Sequence, residues 1–272
     1  MAQPHTRWTL SALQAGVPWF WQYSLSGIWR ILAKHKLRWK RGRDHLRSPD
    51  PAYLEKVAHL RRIEAQVAAQ PDTAVLLYLD EVTYYRQPSI ASGYAPAGQA
   101  EPRAERSTRS NTITRVIGAL DAATGQVVTH QKTRIGVPAL ISFYRALVEA
   151  YPGRQIYLVQ DNWPVHYHPD VLAALEPQDS PFPFLRPRSW SSEPSPRAKQ
   201  LKLPIQIVPL PTYSPWLNPI EKLWRWLKQD VLHLHRQADN LPALRDLVLD
   251  FLRKFEQGSQ ELLRYVGLLL PT

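Results

Sequence analysis

The sequence predicts an α/β fold in which a mixed sheet flanked by helices follows a small helical region. Up to about residue 70, apolar residues recur at helical spacing, and from residue 74 they form short continuous runs typical of strands. The later segments follow the order strand, strand, strand, helix, strand, helix, strand, helix, as expected when helices pack on one sheet. An apolar share of 44% over 272 residues is enough for one substantial core.

Two short helices are predicted near the amino end. Thr9 can cap a helix over residues 10–15, and Ser26 can cap a second helix over residues 27–36. Three apolar residues share one face of the second helix, so the pair resembles a helix-turn-helix (winged-helix-like) unit whose second helix enters a major groove. An ordinary helical hairpin with a solvated charged end is the alternative.

Positive charge is concentrated in and after this second helix. The chain carries 34 Lys and Arg against 23 Asp and Glu, a formal charge of +11, and eight of the basic residues lie within residues 30–47 beside one acid, Asp44. Charge of this density favours a polyanionic partner. We therefore predict contacts with double-stranded DNA from nine residues: Ser26, Trp29, Arg30, Lys34, Lys36, Arg38, Lys40, Arg41 and Arg43.

A longer helix is predicted over residues 50–70, with Asp50 as its cap and Pro51 at its first position. The apolar period changes after this helix, so we interpret the helix as a linker. The predicted organisation is a partial helix-turn-helix region over 1–48, a helical linker over 49–71 and a second domain over 72–272.

The second domain is predicted to begin with an apolar strand that ends at Asp80. The elements predicted after it are strands over 112–120 and 126–133 joined by a turn at 121–125, a helix over 138–150, a strand ending at Asp161, a short helix from Pro169, a strand over 205–209 and a closing helix over 219–235. Residues 176–204 hold seven prolines and no clear period, which predicts a Pro-rich insertion that packs as neither helix nor sheet. The insertion is either a solvated loop or a contact for DNA or a second protomer.

Three acidic residues lie at the ends of these predicted elements. Asp80 and Asp161 each close a strand, and Glu221 lies in the first turn of the last helix. Carboxylates so placed can converge, and two divalent ions held by carboxylates promote phosphodiester hydrolysis without a covalent enzyme intermediate. Hard oxygen ligands favour Mg²⁺ or Mn²⁺. We therefore take Asp80, Asp161 and Glu221 as candidate catalytic and metal-binding residues for two ions.

Each of these carboxylates also has a purely structural interpretation. Asn218, Pro219 and Glu221 fit a helix capping box, Asp80 could pair with an arginine, and Asp161 could cap a turn. Their joint placement on three elements of one sheet favours catalysis. His166, five residues after Asp161, is a candidate for orienting the carboxylates near a metal.

Three blocks of the sequence resemble the catalytic blocks of DDE transposases, specifically the bacterial insertion-sequence family related to the mariner elements. The blocks are Tyr78-Leu79-Asp80-Glu81, Gln160-Asp161-Asn162 with His166, and Pro211-Thr212-Tyr213-Ser214-Pro215 through Asn218-Pro219-Ile220-Glu221 to Leu223-Trp224. Residues 25–32, the basic tail and residues 48–51 also resemble the DNA-binding end of that family. The resemblance therefore covers nearly the whole chain.

The resemblance implies a ribonuclease H-like catalytic domain in which Asp80, Asp161 and Glu221 form the metal-binding triad, supported by Asn162 and His166. It implies magnesium-dependent cleavage at terminal inverted repeats and transfer of the freed 3′-hydroxyl into a TA target. A homodimer is expected, because two element ends must be brought together.

The sequence departs from the family pattern in two ways. The interval from Asp161 to Glu221 is 60 residues, longer than the usual spacing, so the Pro-rich insertion must fold outward to let the two acids meet. The family also places another helix-turn-helix ahead of the one seen here, and these 272 residues do not contain it.

Two other functions remain as alternatives: a DNA-binding remnant that occupies element ends without cutting them, and a structure-specific nuclease or ribonuclease H that uses the same metal chemistry. The chain has no cysteine, which excludes a thiolate nucleophile and a Cys-based zinc site. It also has no apolar run long enough to span a bilayer. The expected location is the bacterial cytoplasm, with the protein on the nucleoid when bound to DNA.

Overall fold

The structure is a computed structural model, and it describes residues 7–40, 47–96, 101–184, 187–190 and 193–269. The chain divides into two compact units, residues 1–46 and residues 47–272. The predicted DNA-binding residues Arg41 and Arg43 lie outside the described residues.

The described residues of the first unit, 7–40, form two α-helices, α1 (Leu10–Gly16) and α2 (Leu25–Lys34), with a 3₁₀ turn between them at Pro18–Phe20. The predicted cap of α1 is present, because Thr9 Oγ1 accepts a hydrogen bond from the Ala12 amide at 3.1 Å. The prediction for α2 is wrong at its start. Ser24, in extended conformation, caps the helix by accepting from the Gly27 amide, so Ser26 lies inside the first turn.

The second unit begins with α3 (Tyr53–Ala69), the helix that was interpreted as a linker. Asp50 is not its cap residue, contrary to the prediction, and Pro51 lies before its first turn. The Asp50 carboxylate instead accepts a hydrogen bond from the Ala52 amide at 3.0 Å. Apolar residues of α3 pack into the core of the second unit.

A five-stranded mixed sheet forms the centre of the second unit, which confirms the predicted fold class. Its strands are β1 (Ala74–Tyr85), β2 (Ile113–Asp121), β3 (Val127–Lys132), β4 (Gln155–Gln160) and β5 (Ile205–Pro209). The order across the sheet is β3-β2-β1-β4-β5, with the β2 and β3 pairings antiparallel and the β4 and β5 pairings parallel. Strand β1 is therefore central, with a parallel neighbour on one side and an antiparallel neighbour on the other.

Helices cover both faces of this sheet. The helices that follow β3 in the described residues are α4 (Val137–Ala150), α5 (Pro169–Ala173), α6 (Pro196–Lys199), α7 (Ile220–Leu227), α8 (Leu241–Arg253) and α9 (Gln260–Val266). One core cluster joins the sheet to α3, α7, α8 and α9, and the other joins it to α4 and α5. The sheet is thus buried on both sides, as the continuous apolar run at the start of β1 requires.

Strand β1 is longer than predicted. It continues through Asp80 to Tyr85, because Val82 and the residues after it pair with β2 beyond the point where β4 ends. The turn after β2 is as predicted: Asp121 accepts from the Ala123 amide at 2.7 Å, and Gly125 takes a φ of +71°. Asp121 is therefore a turn residue.

The carboxyl-terminal part of the chain differs most from the prediction. The helix predicted over 219–235 is α-helical only over Ile220–Leu227 and continues as a π-helical turn over Lys228–Leu232. It is also not the closing helix, since α8 and α9 follow, capped by Asn240 and Ser259. The Pro-rich insertion is not without helix, because Ser195 caps the short α6. No helix in the described part of the chain has both the length and the apolar character needed to cross a bilayer.

Candidate active site

The parallel pairing of β1 and β4 brings two of the candidate carboxylates to one edge of the sheet. The last paired residues are Tyr78 and Val159. Asp80 lies two residues further along β1, and Asp161 lies two residues after Val159, directly after the end of β4. Both side chains therefore leave the sheet at the carboxyl end of its parallel half. This is the edge at which ligands bind in open α/β sheets.

Asp80 is half-buried, and the pKa of its carboxyl group is strongly raised. Burial and the nearby carboxylates of Glu221 and Glu81 raise the pKa of Asp80 to about 8. Asp161 adds a smaller repulsion of the same sign. The three candidate residues are therefore close enough to interact electrostatically, and the repulsion between their carboxylates favours a bound proton or cation at Asp80.

Trp224 holds the Asp80 side chain in place, and sequence reasoning missed this contact. The indole Nε1 donates a hydrogen bond to Asp80 Oδ2 at 3.0 Å, and Trp224 is 1% exposed. The ring fits because Gly118 stands opposite Asp80 in the β1–β2 register, where a Cβ atom would lie only 2.7 Å from the indole. Gly118 thus makes room for the residue that orients Asp80.

Glu221 lies in the first turn of α7, but the capping box that the sequence suggested does not form. Asn218 donates its side-chain amide to the Leu79 carbonyl oxygen at 2.9 Å and does not cap the helix. Partial burial and Asp161 raise the pKa of Glu221, while Lys228 and Arg225 lower it. Glu221 as a residue is still accessible to solvent and has no capping role, which leaves its carboxylate available as a ligand.

His166 connects Asp161 to a fourth carboxylate, Glu81. The His166 side chain is fully buried, with Nε2 3.1 Å from Glu81 Oε1 and Nδ1 3.3 Å from Asp161 Oδ1. Burial alone would lower the pKa of His166, but the charges of Glu81 and Asp161 raise it to about 10. Burial would raise the pKa of Asp161, but the hydrogen bond and the charge of His166, together with the hydrogen bond from the Trp163 amide, outweigh burial, so this pKa is lowered. Asp161 is therefore held ionised in a fixed orientation.

Asn162 lies beside this network and ties two loops together. Its side-chain amide donates to the Leu210 carbonyl oxygen at 2.9 Å and to Thr212 Oγ1 at 3.3 Å. Its carbonyl oxygen accepts from the Tyr167 hydroxyl at 3.2 Å. The role of Glu81 was missed in the sequence, although its position directly after Asp80 in the first block was the available signal.

The donor chemistry of this site fits a hard divalent cation, but the side chains do not form a closed cage. Asp80, Asp161 and Glu221 offer only oxygen ligands, and their mutual repulsion is the kind that a divalent ion relieves. Within the described ranges, no three His, Asp or Glu side chains stand close enough together to hold an ion. The carboxylates would have to approach one another when an ion binds.

The predicted DNA-binding residues that the structure describes are all exposed, and they lie in the first unit. These are Ser26, Trp29, Arg30, Lys34, Lys36, Arg38 and Lys40. The same unit exposes more tryptophan than the prediction included: Trp19, Trp21 and Trp39 are each more than half exposed. The Arg7 guanidinium lies 5.0 Å from the Trp39 ring centre, so one of these exposed tryptophans has a basic group stacked on it.

Comparisons with known proteins find a matching family and a curated relative. The sequence profile of a family described as "DDE superfamily endonuclease" matches residues 75–245. A curated relative, the "Insertion element IS630 uncharacterized 39 kDa protein" of Shigella sonnei, is 24% identical over 216 residues, which is 79% of this chain and 54% of that protein. The chain therefore spans about half the length of the curated relative it matches.

Solved structures give the same fold. The Mos1 mariner paired-end complex with Mn matches 98% of this chain and 77% of its own, with a TM-score of 0.60 and 17% identity. The Mos1 transposase paired-end complex with the left transposon end matches the same shares, with a TM-score of 0.58 and 17% identity. Likeness at this level of identity supports the ribonuclease H-like fold of the second unit.

Proposed function

The chain belongs to the DDE superfamily endonuclease family, and on that premise we propose that it is a transposase. It cleaves DNA phosphodiester bonds at transposon inverted repeats and joins the freed 3′-hydroxyl to target DNA at a TA step. The observation that carries this proposal is the placement of Asp80 and Asp161 at one sheet edge, where Glu221 contributes to the raised pKa of Asp80.

Asp80, Asp161 and Glu221 are the proposed catalytic and metal-binding residues, for two Mg²⁺ or Mn²⁺ ions. Such ions, when bound, supply the positive charge that activates a water or hydroxyl nucleophile and stabilises the leaving oxygen. The chain itself provides the orientation. Trp224 fixes the Asp80 carboxylate through its indole N–H, and His166 fixes the Asp161 carboxylate.

The first unit is proposed to bind double-stranded DNA through its basic and aromatic surface. Mos1, the structural relative, is captured in complexes with transposon ends and with Mn or Mg. By analogy we propose that this chain binds inverted repeats and target DNA as a homodimer, and that it acts on the bacterial nucleoid.

Cleavage of labelled duplexes carrying the flanking inverted repeats, with Mg²⁺ or Mn²⁺, tests the proposed activity. We expect Glu221→Gln to abolish nicking while DNA binding is kept. Glu261→Gln is the matched control, because Glu261 is also an exposed acid in the first turn of a helix, α9. Nicking that survives Glu221→Gln would remove Glu221 from the site, and binding without nicking by the wild type in both metals would support the non-cleaving alternative.

Salt dependence of DNA affinity tests the proposed interface. Each phosphate contact that is lost reduces the slope of log affinity against log salt by about one. We expect Arg30→Ala to reduce the slope by about that amount. Arg145→Ala, which removes an exposed arginine of α4, should leave the slope unchanged. Equal slopes for both variants would place the interface elsewhere.

A further inference from the structure

The segment at the start of the second unit is bonded to a loop of the candidate active site. Asp50 Oδ2 accepts a hydrogen bond from the Thr212 amide at 2.9 Å, and the Ser48 hydroxyl donates to the Thr212 carbonyl oxygen. The Asp50 side chain is only 5% exposed and also forms an ion pair with Lys56 at 2.8 Å. Both backbone groups of Thr212 are thus hydrogen-bonded to this segment, the amide to Asp50, 162 positions away, and the carbonyl oxygen to Ser48, 164 positions away.

Thr212 in turn contacts the segment that carries Asp161. Its hydroxyl accepts from the Asn162 side chain at 3.3 Å, and Asn162 directly follows Asp161. Tyr167 also bonds to this segment, since its hydroxyl lies 3.2 Å from both acceptors, the Asp161 carbonyl oxygen and Asn162 Oδ1. A continuous series of hydrogen bonds therefore runs from Asp50 to the backbone of Asp161.

The loop that Asp50 holds also leads into Glu221. Tyr213, directly after Thr212, has a φ of +53°, a left-handed conformation that costs energy for a residue with a side chain and persists only when its surroundings enforce it. The Trp216 indole donates to the Tyr53 hydroxyl of α3 at 3.2 Å, and buried Ser214 lies between these residues. Asp50 therefore holds the loop at Thr212, just before the strained residue Tyr213, and Tyr53 holds it at Trp216, just after that residue.

We infer that Asp50 is a positioning residue for the carboxylate site. It holds Thr212, and through Thr212 it fixes both the Asn162 side of Asp161 and the entry of the chain into α7, where Glu221 lies. This inference rests on the proposed function of the three carboxylates. Asp50 itself contacts none of them and takes no part in the chemistry.

If Asp50 only stabilised the fold, a different experimental result would be expected. A variant of Lys56 distinguishes this stabilising role from the positioning role. Lys56 shares the buried ion pair with Asp50 but bonds to no residue of the loop. Lys56→Met removes the positive charge of the pair and keeps the side chain as far as Cε, so Asp50 keeps its bonds to the Ala52 and Thr212 amides. Asp50→Ala removes the pair and the anchor together.

The experiment compares the wild type, Asp50→Ala and Lys56→Met in nicking kinetics and in amide hydrogen exchange. Misplacement of catalytic groups by about 1 Å can reduce the rate about 100-fold. We therefore expect Asp50→Ala to lower kcat about 100-fold with little change in the KM for DNA. We expect Lys56→Met to retain kcat within about threefold of the wild type, even if it lowers the melting temperature as much as Asp50→Ala does.

Amide exchange gives a readout that does not depend on activity. The Trp163 amide donates to Asp161 Oδ1 at 2.9 Å, so its protection reports the position of that carboxylate. We expect faster exchange over residues 160–168 in Asp50→Ala and not in Lys56→Met. Unchanged exchange there, or an equal loss of kcat in the two variants at equal stability, would overturn the inference. A wild type that does not nick DNA would refute the proposed function alone, and the exchange of residues 160–168 would still decide the role of Asp50.

Discussion

Gly118 offers a sharp test of how the site is built, because a single methyl group there should displace the residue that orients Asp80. A Cβ atom at position 118 would lie 2.7 Å from Cη2 and 3.0 Å from Cζ2 of Trp224, and 3.4 Å from Cδ1 of Ile220. Carbon atoms in contact are about 3.5–4.0 Å apart. The indole ring therefore has to move by about 1 Å, in a core where it is almost fully buried.

The cost of Gly118→Ala has two parts. Overpacking of a close-packed core costs about 1–3 kcal/mol. Movement of the ring by about 1 Å also stretches the 3.0 Å bond between Trp224 Nε1 and Asp80 Oδ2 beyond hydrogen-bonding range, at about 1 kcal/mol. We expect the free energy of unfolding to fall by about 2–4 kcal/mol. For a unit of this size that is a loss on the order of 10 °C in melting temperature.

Urea unfolding followed by circular dichroism measures the stability, and nicking kinetics measure the effect on the site. Gly136→Ala is the matched control, since a Cβ atom there meets nothing within 4 Å. Trp224→Phe removes the crowded ring atoms, so the double variant with Gly118→Ala should be more stable than the sum of the single changes implies. Equal stability and activity of Gly118→Ala and Gly136→Ala would refute the steric argument.

Three further predictions concern the charges of the site. Asp80 binds its proton more tightly in the folded chain, where its pKa is about 8 against an ordinary value of 3.8. The free energy of unfolding of the wild type should therefore fall relative to that of Asp80→Asn as the pH rises from about 4 to 8. Urea unfolding in the presence of EDTA measures this difference. A difference that stays constant over that range would contradict the raised pKa. At pH 8, added Mn²⁺ should raise the melting temperature of the wild type more than that of Asp80→Asn, and equal shifts would argue against an ion at Asp80. The charge on His166 stabilises the fold fully below pH 6.5 and ceases to do so as the pH rises through about 10. His166→Gln should therefore be less stable than the wild type by about 3–5 kcal/mol near pH 6, and this loss of stability should shrink toward pH 10. The control variant His35→Gln, at an exposed position, should show no loss of stability.

Much of the fold was predictable because its signals are local. The apolar runs of β1 and β4, the turn at Asp121 and Gly125, and the cap at Thr9 depend on residues within a few positions of one another. The end of β1 was not predictable in this way. Whether residues 81–85 continue the strand depends on their pairing with β2, in which each partner lies about 30 residues further along the chain, from Glu81 with Ile117 to Tyr85 with Ile113.

Local signals also misled where two interpretations compete. Ser24 and Ser26 can each cap a helix, and only the extended backbone at Ser24 decides between them. Asn218, Pro219 and Glu221 match a capping box, but the Asn218 side chain bonds to the Leu79 carbonyl oxygen of β1 instead. The tertiary partner is the stronger competitor here, because a buried backbone carbonyl group needs a donor.

The sequence by itself determined the residue types of the site, their order and the two strand positions that bring Asp80 and Asp161 to one edge, since parallel strands end on the same side of a sheet. Only the tertiary structure decided what holds those side chains. Trp224 reaches Asp80 across 144 positions through the space left at Gly118, and His166 joins Asp161 to Glu81 across 85 positions. Contacts of that kind depend on strand register and helix packing, which no local propensity encodes.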